Sequence, residues 1–163
     1  MPVQSSYSAT QAAGKVGARA NMEPARVISR TIEDSAGAAF GVAVVQGTED
    51  NEVSIDLTGA TEIVGFTVRD RAVDPATPDK YAQYATAAIM VEGVIWLEVD
   101  DAGGVSAGDD VWLNISTGGL SNADAGSGNG LKLAGCRWET SAADDGLAQV
   151  RVNMNVPAVA GAA

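Results

Sequence analysis

The chain has no histidine and one cysteine, Cys136, and its 10 Lys and Arg stand against 21 Asp and Glu. Without histidine, both the usual general base and the usual metal ligand are missing, and with them the Ser-His-Asp and Cys-His nucleophile pairs. A lone cysteine cannot close an internal disulfide, and zinc fingers or ribbons need four Cys or His ligands. Cys136 is therefore read as a small buried hydrophobe. Carboxylate-only glycosidase chemistry needs two acids converging on a cleft, whereas the acids here fall mainly in turns. No enzyme activity, cofactor or metal is expected. A formal net charge of −11 argues against nucleic acid as a partner, because phosphate binding draws its affinity from Lys and Arg. No apolar run reaches membrane-spanning or signal-peptide length, so the expected product is a soluble protein made in the cytoplasm, with no membrane partner.

At 163 residues the chain suits one domain. Its apolar content is diluted by 29 alanines and 19 glycines, which bury little area each, and the large hydrophobes concentrate between Phe40 and Met154. Charge is uneven. Lys15, Arg19, Arg26 and Arg30 outweigh Glu23 in residues 1–32, about +3, which leaves about −14 for the remainder.

Residues 1–35 are read as an N-terminal arm, 36–155 as a β-rich body and 156–163 as a flexible tail. The first 25 residues are rich in Ala, Gly and Ser without periodicity, so they bury too little apolar area to offset their ordering entropy and should order only against a partner. A short helix over 9–20 is open, weakened by Gly14 and Gly17. The run at 40–45, turn residues at 48–51 and the alternation Val53, Ile55, Leu57 predict a hairpin. Val64, Phe66 and Val68 alternate next, and residues 69–78, with four charges and two prolines, form an exposed loop. Residues 79–88 could be a helical turn or an extended lead-in.

The clearest strand is 89–99, where Gly93 marks a bend or bulge. Further strands are expected at 111–115, near Leu120, and at 131–138 and 147–154, giving a meander that curls into a small barrel or sandwich. The fold class is mainly β, with an extended N-terminal arm. Trp96 and Trp112 lie opposite the regular aliphatic series, as core caps or in a subunit interface.

Several short motifs have bland readings. Gly108-Asp109-Asp110 matches a polymerase signature but is a turn in a chain too short for a polymerase, and Gly126-Ser127-Gly128-Asn129-Gly130 lacks the Gly-Lys-Ser/Thr of a phosphate loop. Asn122, Asp124 and Asn129 fit no EF-hand spacing.

The run Ile28-Ser29-Arg30-Thr31-Ile32-Glu33-Asp34 leading into Phe40-Gly41-Val42-Ala43-Val44, together with Gly65-Phe66-Thr67-Val68-Arg69-Asp70 and Gly93-Val94-Ile95-Trp96, resembles phage structural cement proteins. So do Gly108-Asp109-Asp110-Val111-Trp112, Ala134-Gly135-Cys136-Arg137-Trp138-Glu139-Thr140 and Gly146-Leu147-Ala148-Gln149-Val150-Arg151-Val152. The resemblance implies a virion protein on the outer surface of an icosahedral head, often a homotrimer, that cements the lattice between capsomers. Its partners would be the major capsid protein and copies of itself. Tyr7, Arg19, Arg26 and Arg30 are the candidate capsid or subunit contacts. Rival readings are a tail-tube, fibre or head-completion protein, or a carbohydrate-binding module built on Trp96, Trp112 or Tyr84.

Overall fold

Apolar residues set two apart put one side of a strand into a core, and the long run ending at Val99 organises the molecule. The computed structural model describes residues 13–73 and 75–161, which form twelve strands and, among the described residues, no helix. The strands are β1 (Arg26–Ile32), β2 (Ala38–Ala39), β3 (Ala43–Gln46), β4 (Glu52–Ser54), β5 (Gly65–Thr67) and β6 (Lys80–Tyr81). They continue with β7 (Thr86–Glu98), β8 (Asp110–Asn114), β9 (Leu120–Ser121), β10 (Gly130–Trp138), β11 (Leu147–Asn153) and β12 (Val159–Ala160).

The main sheet runs β1-β4-β3-β5-β7-β11-β10-β8-β9, and β1 also pairs with β7. That extra pairing closes β1, β4, β3, β5 and β7 into a circuit, in which only β1 and β4 are parallel. On the far side, the Asp100 amide, just beyond β7, donates to the Leu120 carbonyl at 2.8 Å, bringing β9 back to the end of β7. The 13-residue β7 thus serves two curled sheets, its first half in one and its second half in the other. Closing the first circuit leaves it without a free edge along those strands.

Each curl holds a core. Ile32, Val44, Val53, Ala87 and Ile89 fill the smaller with Phe40 and Tyr81, whose rings meet edge to face at 5.3 Å. Phe66, Met90, Ile95, Leu97, Leu113, Leu131, Trp138 and Val150 fill the larger. Met90 and Ile95, five residues apart, share this core although strict alternation would put them on opposite faces. A register shift against Arg26 and Val27 leaves Val91 unmatched, and Gly93 follows with φ +138°. This bulge turns the strand from one core to the other. At Gly93 a Cβ would stand 2.8 Å from the Ala25 Cβ, so the bend requires glycine.

The hairpin forms as expected, with Val45 opposite Ser54, but β4 stops at Ser54. Asp34 accepts there from the Ser54 hydroxyl at 3.0 Å and the Ile55 amide at 2.8 Å, capturing groups that would otherwise extend the ladder. Residues 79–88 hold β6, then a tight turn in which the Ala85 amide donates to the Ala82 carbonyl at 3.1 Å with Tyr84 at φ +60°, and then the start of β7. The expected meander is replaced: β11 inserts beside β7, and β8 pairs with β10, a Greek-key order. Alternation locates strands but carries no information on which strands become neighbours.

Candidate functional site

The sheet begins at Arg26, inside the segment read as an arm, and the chain ahead of it already lies against the body. Residues 13–20 follow the edge of β7 as a turn and an extended piece, with no helix among them. The Gly17 amide donates to the Trp96 carbonyl at 2.8 Å, the Trp96 amide to Ala18 at 2.9 Å and the Ala20 amide to Val94 at 2.9 Å. Gly17 has φ +75°, and a Cβ there would meet the Gly41 amide nitrogen and the Phe40 Cβ, each at 2.8 Å. Only glycine lets the segment lie this close. Gly14 rests on the indole of Trp96, which is buried as a result.

Downstream, Glu23 is clamped. Arg151 on β11 reaches the Glu23 carboxylate at 2.7 Å and Glu139 at 2.6 Å. The hydrogen bond from Arg151 holds the Glu23 carboxyl below the usual range. Met22, beside it, is almost fully exposed.

The candidate contact residues do not converge. Tyr7 lies outside the described residues. Arg19 is exposed on the β7 edge, its guanidinium donating to the Glu23 carbonyl at 3.3 Å. Arg26 opens β1 and donates to the Asn155 side chain at 2.8 Å. Arg30 lies four residues on, roughly 13 Å along the strand, half-buried on the side shared with Ile28 and Ile32. Its Nε is buried without a hydrogen-bond partner. The segment 156–163, read as a flexible tail, places Val159–Ala160 against Leu131 and Lys132 of β10.

Arg19 does meet other cations, which the sequence reading left unused in the exposed loop. Lys15, Ala18 and Arg19 form one wall of an open cleft of about 860 Å³, and Val68, Arg69, Asp70, Arg71, Val73, Pro75 and Pro78 form the other. The second wall is pinned at its base. The Arg69 amide donates to the Gly17 carbonyl at 2.7 Å, and the buried Tyr81 hydroxyl donates to the Val68 carbonyl at 2.6 Å. The Arg69 guanidinium stacks over Phe40, 4.9 Å from the ring centre, and pairs with Asp79 at 3.5 Å. Asp70 turns its carboxylate to the Ala72 amide. The cleft gathers four of the ten Lys and Arg of a chain with net charge −11, so its sign is opposite to that of the molecule.

Trp138 is fully buried, its indole N–H donating to the Ser121 carbonyl at 3.1 Å, and Trp112 is half-buried. Of the aromatics weighed for a carbohydrate platform, only Tyr84 is exposed.

A family model described as structural cement protein (E217 gp24/Pam3 gp6) matches residues 3–153. A chain from the capsid of Myoviridae phage XM1 has the same fold, with a TM-score of 0.71 at 18% identity, covering 96% of this chain and 100% of that chain. No curated protein matches the sequence.

Proposed function

The chain belongs to the phage structural cement protein family, a structural component of the virion head, and from that premise we propose that it binds the outer surface of the major capsid protein lattice between capsomers. The observation that carries the reading is the family match over nearly the whole chain. The fold shared with a phage XM1 capsid chain supports it. Further support comes from charge: the basic segment ahead of the sheet is laid along β7 instead of being folded into a core, which leaves Lys15 and Arg19 on the surface. The contacts are assigned to residues 1–35, with Tyr7, Arg19, Arg26 and Arg30 as contributors and Arg26–Ile32 serving also as a sheet strand. The subunit acts as a homotrimer, and many weak contacts repeated over a lattice add up to firm attachment. The acidic body keeps free copies apart and soluble.

Electron cryomicroscopy of the particle tests this. Density matching the two curled sheets, outside the shell floor at threefold junctions, is the expected result; finding that density in a tail would overturn the proposal. A deletion test must spare β1: a chain lacking residues 1–12 keeps every described strand and is expected to fold but to decorate heads poorly. Full occupancy by that variant would remove the arm from the contact.

A further inference from the structure

We propose that the cleft between Lys15 and Arg19 on one side and Arg69 and Arg71 on the other receives an extended acidic segment of the shell protein. This inference rests on the capsid-binding reading above and names the part of the surface that does the binding.

Three observations carry it. First, the cleft reverses the sign of the molecule, and the concentration of cations comes from the fold: residues 15–19 and 69–71 are far apart in sequence and are joined by the Arg69-to-Gly17 backbone hydrogen bond. Second, Lys15 and Arg71 make no ion pair among the described residues and are exposed, so their charge is open to a partner. Arg69 is held in place by Phe40 and Asp79. Third, the cleft is continuous with the proposed capsid contact, because Arg19 belongs to both.

The lining also selects the chemistry of the occupant. Val68 and Val73 interrupt the cations with apolar surface, which suits a peptide that alternates acidic and apolar side chains. A nucleic-acid strand would find phosphate partners inside the cleft, but its continuation would run over an acidic body. Residues 1–12 of a second copy carry no acidic side chain to offer the cleft.

The test uses heads assembled without this protein and the purified full chain. The variant Lys15→Glu/Arg71→Glu touches no described hydrogen bond of either side chain, and an unchanged circular dichroism spectrum and melting temperature would establish that it folds. Its affinity for heads is expected to fall about tenfold or more, the wild type should weaken with added salt, and Lys15→Arg/Arg71→Lys should decorate normally. Decoration by the glutamate variant at wild-type affinity would overturn the cleft assignment while leaving the capsid role standing. A wild type that fails to decorate heads at all would overturn the capsid role and the cleft assignment with it. If head affinity is unchanged while self-association or binding to a DNA duplex is lost, the occupant is a second copy or nucleic acid, and the proposal falls.

Discussion

Cys136 shows how a side chain's setting decides its chemistry. Burial pushes its thiol up from 9.0 to about 11, so at pH 8 the native chain should react with iodoacetamide far more slowly than the same chain in denaturant, as mass spectrometry of the alkylated protein would show. Because the folded form holds the proton more tightly, the associated stability is complete below pH 9. It should then decline by about 1.4 kcal/mol per pH unit toward pH 11, and Cys136→Ala should remove that part of an alkaline denaturation profile. Thr67 is a second case. Its buried hydroxyl donates to the Ala39 carbonyl at 2.7 Å and accepts from the Val42 amide at 3.0 Å, tying β5 to the turn ahead of β3. Thr67→Val keeps the shape and strands both partners, so a loss of about 1–3 kcal/mol is expected in urea unfolding.

At the scale of elements, the segment ahead of β1 is attached by backbone bonds to β7 and by the Glu23–Arg151 pair. Glu23 has its carboxyl depressed by that pair, so its contribution is present above the ordinary carboxylate value of 4.5 and is lost as pH falls through the lower folded value. Limited proteolysis near the exposed Met22 should therefore accelerate at acidic pH, while Glu23→Gln should cleave faster already at neutral pH and lose that pH dependence. Equal cleavage of variant and wild type at pH 7 would show that the backbone bonds suffice. The cations of this segment are legible in the sequence but the way it is held is not, since Gly14 and Gly17 look like helix weakeners until Trp96 and Phe40 are placed beneath them.

For the whole molecule, β7 is the shared wall of two cores, which couples them. Ile89→Ala in the smaller core and Leu97→Ala in the larger should each cost about 3 kcal/mol. Each should lower a single melting transition, with tryptophan fluorescence and far-ultraviolet circular dichroism coinciding. Two resolved transitions would mean that the curls unfold separately. The opposition of charge between cleft and body is also a property of the whole, because it exists only once residues 15–19 and 69–71 are brought together.

Local chemistry was enough to read the mainly β class, the position of β7 with its bend at Gly93, the short strand at Leu120, the last two long strands and the buried state of Cys136. Each rests on alternation, turn residues or side-chain type, which act over a few neighbours. The family resemblance was legible for the same reason, in short runs along the chain. Outside the β3–β4 hairpin, the partner of each strand, the passage of β7 between two cores, the covering of Trp96 and the gathering of Arg69 and Arg71 opposite Lys15 and Arg19 were decided only by the tertiary structure. These depend on contacts between residues distant in sequence, where many pairings satisfy the same local pattern and the choice falls to whichever arrangement closes both cores at once.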